Sequence, residues 1–168
     1  MSDRAKAHLK HEVLVSGLSN TVFNGLIAWL LLRTGPALAW SGEHSFVVDV
    51  FATALLLPLI VALIVIPLQR SKLRKGKLPP ISLGSDSRIQ AFADCFPQAT
   101  FPSALLFGLV GLCIVAPLTL LGFYLAGVEL VPPLNYAIFK GLWAGAMAGI
   151  LVVPMVLTAL RTPRNLEH

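Results

Sequence analysis

The sequence predicts an all-α integral membrane protein, a four-helix bundle with both termini in the cytoplasm. Three observations carry this expectation. Four apolar stretches, at about residues 12–33, 46–69, 101–126 and 134–160, are each long enough to cross a hydrocarbon core of about 30 Å as a helix rising about 1.5 Å per residue. The chain is 56% hydrophobic and only 12% charged, with a mean hydropathy of +0.79, whereas a water-soluble domain carries about 25% charged residues. All but Arg33 and Lys140 of the 13 Lys and Arg residues flank the apolar stretches on one side, which places both ends and the long middle loop inside.

Arg4, Lys6 and Lys10 lead into the first span. This stretch is longer than the apolar region of a signal peptide, lacks a clear small-x-small cleavage site and precedes three more spans, so a retained helix is expected. Ser16, Asn20, Asn24 and Ala28 recur at intervals of four beside Gly17, Thr21 and Gly25, while Phe23, Leu26, Ile27, Leu30 and Leu31 cover much of the rest. The small, polar face is expected to look inward. Asn20 and Asn24 then have two readings, as hydrogen-bonded glue between helices or as the lining of a pore or substrate cavity.

The second span opens with Asp49 about three residues, or roughly 5 Å, from its outer end, with Thr53 one turn further on and Pro58 and Pro67 inside it. A basic loop follows, from Arg70 through Lys72, Arg74, Lys75 and Lys77. Its charge at a membrane end fits anionic lipid headgroups rather than nucleic acid. Pro79, Pro80, Gly84 and Ser85 interrupt structure, and Asp86 or Ser87 is a candidate cap for a short helix to about Cys95. Ile89, Phe92, Ala93 and Phe96 recur at helical spacing against Arg88, Gln90 and Asp94, the pattern of an interfacial collar. The alternative is a gate or a partner-docking surface.

The third span contains Cys113 and Pro117. The fourth carries Gly141, Gly145 and Gly149 at successive intervals of four beside Ala144 and Ala148, a ridge on which another backbone can lie closely. Lys140 sits about seven residues, or roughly 10 Å, below the outer end of the same helix, flanked by Tyr136 and Trp143. A lone charge at such depth costs about 2.5–3.5 kcal/mol, so Asp49 and Lys140 are expected to pair. The pair is either a structural bridge near the outer interface or, with Thr53, Tyr136 and Trp143, part of an outward-facing ion, proton or anionic-substrate site. Pro67 and Pro154 stand in similar settings, VIPLQRSKLR and VVPMVLTALR, which hints at two parallel hairpin repeats. The prolines are expected to kink their helices. Residues 166–168 resemble the start of a histidine tag, so residues 1–165 are taken as the single transmembrane domain.

Several chemistries have no motif here. Cys95 and Cys113 lack a C-x-x-C spacing, and His8, His11 and His44 fall outside the spans, which leaves no intramembrane pair for haem and no Cys/His cluster for zinc. Phosphate-loop, nucleophile-elbow and H-E-x-x-H sequences are absent. No cofactor, metal or catalytic residue is expected.

The segments FNGLIAWLL, DVFATALLLPLI and FKGLWAG resemble small four-span bacterial inner-membrane proteins of unassigned function. That resemblance implies a multi-pass protein of the bacterial inner membrane and brings no chemistry with it. The chain lacks the paired cysteines of disulfide-generating membrane proteins, the early membrane-embedded Glu of small multidrug transporters and the Arg- and Asn-rich helices of the membrane glutathione-transferase-like group. The expected function is a permease or channel-like subunit whose pathway involves Asn20, Asn24, Asp49, Thr53, Tyr136, Lys140 and Trp143, with helix packing through Gly17, Gly25, Gly141, Gly145 and Gly149. It is expected to form a homo-oligomer or to join a membrane partner. A membrane scaffold or accessory subunit is the alternative, and a lipid-modifying enzyme a third.

Overall fold

In hydrocarbon a backbone N–H or C=O finds its partner only within its own segment, so apolar stretches of this length fold as helices. The computed structural model, which describes residues 3–81 and 87–161, is mostly helical. Four of its helices are long and apolar enough to cross a membrane. They are α1 (Asp3–Leu32), α2 (Phe46–Arg74), a third span built from α4 (Thr100–Val110) and α5 (Ala116–Leu125), and α6 (Pro133–Leu160). A short helix, α3 (Arg88–Asp94), follows the basic loop. The candidate cap Asp86, the breakers Gly84 and Ser85, and residues 166–168 lie outside the described residues.

The first helix starts at Asp3 rather than near residue 12. Hydropathy marks only its apolar part. The added turns are held by Ala5 and Leu9, buried against Ile81, Ala93, Val156 and Leu160. The third span is not one uniform helix. Pro117 has no N–H and crowds the preceding turn, and the chain absorbs this in a π-helical turn, Gly111–Val115, where the Ala116 N–H donates to the Gly111 carbonyl. Pro58, Pro67 and Pro154 lie inside continuous helices.

Spatial order differs from chain order. α6 packs against both α1 and α2, and α2 packs in turn against the third span. The last helix is therefore the centre: 67% of its most apolar stretch is buried, against 6% for α1. Its glycines set the spacing to α1. A Cβ on Gly141 would lie 2.8 Å from the Thr21 carbonyl oxygen, and one on Gly145 would lie 2.7 Å from that of Gly17 and collide with the Thr21 hydroxyl. Gly25 faces Gly141, and Gly149 faces Gly17 and Val13. A second close approach, absent from the sequence expectations, joins the third span to α2: a Cβ on Gly108 would stand 2.9 Å from the Leu55 carbonyl oxygen, and one on Gly111 would run into that of Ala54.

The two ends are closed differently. At one end, α3 packs on α6, the Thr158 hydroxyl donates to the Ala93 carbonyl at 3.2 Å, and the Ile81 N–H donates to the Leu160 carbonyl at 3.1 Å. Ser87 caps α3 by accepting from the Gln90 N–H. The collar faces differ from those expected: Gln90, assigned to the polar side, is buried with Ala93 and Phe96, whereas Ile89 and Phe92 are exposed. Docking on α6 has turned the helix, and Gln90 keeps a polar partner in Asp94 at 3.0 Å. At the other end, β1 (Leu38–Ala39) pairs antiparallel with β2 (Leu130–Val131), tying together the two loops there. The Trp40 indole N–H donates to the Val128 carbonyl at 2.6 Å, reinforcing that link.

Candidate functional site

α1 packs along α6 and is tied to α2 at one end, where His8 and Gln69 share a hydrogen bond of 3.0 Å and Lys72 Nζ donates to Glu12 Oε1 at 3.0 Å; beyond that end a groove runs between α1 and α2. Its mouth is a cavity of about 460 Å³ beside the 38–45 loop, lined by Ala28, His44, Ser45, Val48, Ala52, Asp49 and Lys140 among others. It continues as a space of about 330 Å³ lined by Asn20, Asn24, Asp49, Ala52, Thr53 and Leu56. Asp49 and Ala52 line both, so the two spaces adjoin.

The charged centre comes from α2 and α6. Lys140 Nζ donates to Asp49 Oδ1 at 2.6 Å and to Oδ2 at 2.8 Å, and the Tyr136 hydroxyl donates to Oδ2 at 2.6 Å. Tyr136 and Lys140 lie one turn apart on α6, the spacing that lets neighbouring side chains reach one target. The Lys140 side chain is 13% exposed and that of Asp49 35%. A solute in the groove therefore meets the carboxylate first, with the ammonium sheltered behind it. The carboxylate has acceptor capacity beyond these three bonds.

The two asparagines lie deeper, half-buried on α1. The Asn20 amide donates to the Ser16 carbonyl at 2.8 Å and that of Asn24 to the Asn20 carbonyl at 3.0 Å. These donors turn back onto their own helix. Among the described residues neither amide bonds a second helix, so the glue reading has no bond to carry it. The small, polar face of α1 is in fact divided: Gly17, Thr21 and Gly25 meet α6, while Asn20 and Asn24 open onto the groove.

Two expected lining residues sit elsewhere. Trp143 stacks with Phe139 and donates its indole N–H to the Thr119 hydroxyl of α5 at 3.0 Å, on the side of α6 away from the groove. Tyr136 is 1% exposed and orients Asp49 rather than lining the path. Three residues separate Lys140 from Trp143, nearly one turn, yet the pull of Thr119 and Phe139 holds the indole on the α5 side. Ala52 and the loop residues Glu43 and His44 were missed. Ala52 carries no polar group, although its place three residues after Asp49 puts it on the same face.

Chemically, the arrangement offers a partly exposed, ion-paired carboxylate followed by the side-chain amides of Asn24 and Asn20. No group of three or more His, Cys, Asp or Glu residues among the described ones is placed to hold a metal ion. No family model matches the chain, no curated protein matches it, and no solved structure matches it.

Proposed function

We propose that this chain is a small permease or channel-like subunit of the bacterial inner membrane, a four-helix bundle with both termini and the basic loop in the cytoplasm. The groove between α1 and α2 is one wall of its solute path. The observation that carries the reading is the run of polar groups along two adjoining cavities, from Asp49 and Lys140 to Asn24 and Asn20. Polar side chains at membrane depth are expensive unless they pair or line a hydrated space, and among the described residues the amides of Asn20 and Asn24 bond only within α1. The groove is open along its side, so a second copy or another subunit completes the wall. The Asp49–Lys140 bridge stands at the mouth, where a charged or polar solute can replace one partner of the pair.

Water access tests this directly. In a background with Cys95→Ser and Cys113→Ala, single cysteines at Asn20, Asn24 and Ala52 are compared with cysteines at Val22 and Leu26, which are exposed and, by helical periodicity, lie on the opposite side of α1 from the two asparagines. A membrane-impermeant thiol reagent added from outside intact cells is expected to modify the groove positions and spare the other two. If the groove positions are as inert as Val22 and Leu26, the path is filled by lipid or by a helix of another protein. The accessory-subunit reading then replaces this one.

A further inference from the structure

The two similar segments of the sequence meet in space. Arg74 and Arg161 each follow a proline, Pro67 and Pro154, by seven residues, about two helical turns. Since α2 and α6 lie side by side and end together, both arginines reach one cavity of about 410 Å³, which Arg70, Thr100 and Thr158 also line. Among the described residues no carboxylate lines it. Arg70 is half-buried, and the charges of Arg161 and Arg74 oppose its own.

An arginine at a helix C-terminus complements the helix dipole by itself. That accounts for an arginine on each helix, but not for three converging on an acid-free cavity. Nor are their donors used up. Arg70 Nη1 donates to the Thr100 hydroxyl at 3.0 Å, and Arg161 Nη2 donates to the Phe96 carbonyl at 2.8 Å. Each guanidinium has five N–H groups. Among the described residues the Nε–H of Arg161 is buried without an acceptor, an unfavourable state for a charged group. Arg74 is exposed, and the described residues offer it no bond. α4 also begins here without a side-chain cap, which adds the positive end of a helix to the same space.

We propose that this cavity binds a phosphate-type anion, clasped by Arg74 and Arg161 from the ends of α2 and α6. Forked guanidinium donors match phosphate oxygens in pairs. The cavity is open and large enough to admit the group esterified to the phosphate, so its source is either an anionic lipid headgroup or a soluble phosphorylated compound. The inference does not depend on the transport reading.

The test follows thermal unfolding of the purified full chain in non-ionic detergent by tryptophan fluorescence, at constant ionic strength. It is titrated with inorganic phosphate and, separately, with short-chain phosphatidylglycerol against phosphatidylcholine. A saturable rise of the midpoint is expected. Arg74→Gln, which breaks no bond among the described residues, should raise the apparent Kd about tenfold or more, and Lys6→Gln, at a position that does not line the cavity, should not. Arg161→Lys keeps the charge but loses the fork, and should also weaken binding. A response to phosphatidylglycerol without one to inorganic phosphate assigns the site to lipid; a response to both assigns it to soluble phosphate. No saturable shift with either probe, or a shift that Arg74→Gln and Lys6→Gln weaken alike, overturns the proposal.

Discussion

Asp49 accepts three hydrogen bonds from two residues of another helix, and among the described residues neither the Lys140 nor the Tyr136 side chain makes another. Removing one charge leaves the other uncompensated in a place of low polarity. Asp49→Asn and Lys140→Met are each expected to destabilise the protein by about 1–3 kcal/mol, less than a fully buried pair because the carboxylate is partly open to the groove. The double variant should recover part of that loss. A double-mutant cycle of thermal unfolding in detergent checks this, and strictly additive losses would mean that the two side chains do not act as a pair. Tyr136→Phe separates orientation from charge: it removes one donor and keeps the bridge.

At the scale of the helix, glycine seams decide which surfaces meet. Gly145→Leu is expected to loosen the contact of α1 with α6 by about 1–3 kcal/mol, since a side chain there meets the backbone of Gly17 and the side chain of Thr21 rather than open space. Gly111→Ala should be harmful in the same way between the third span and α2. Gly122→Ala, where a Cβ would meet nothing within 4 Å, should be close to neutral. Unfolding midpoints of the three variants rank them, and the seam account fails if Gly145→Leu is as mild as Gly122→Ala. The ridge on α6 was readable because its glycines fall at a strict interval of four. Gly108 and Gly111 do not keep that interval, and the π turn that carries Gly111 breaks helical periodicity where a sequence reading depends on it.

For the molecule as a whole, sidedness is the first expectation to test: cysteines placed at Lys75 and Val128 should label from opposite sides of the membrane, and labelling from the same side would reject the topology. Four spans, their approximate limits and the approach of Asp49 to Lys140 could be read from the sequence because hydropathy and the cost of isolated charge act locally along the chain. The lateral order of the helices could not. Nothing in the sequence of α1 states that its neighbour is the last span rather than the next, and for this reason the groove, the split polar face and the convergence of the arginines became visible only in three dimensions. That order also has a consequence in time. The chain is made from its N-terminus, and α6 is the seat for both α1 and α2. When the first three spans have emerged, α1 has only its end contacts with α2, Glu12 with Lys72 and His8 with Gln69, and Asp49 is still without its lysine. Biosynthesis therefore passes through a state in which an open α1 and an uncompensated carboxylate wait for the final helix, and a chaperone or insertase that shelters polar residues would act at that stage.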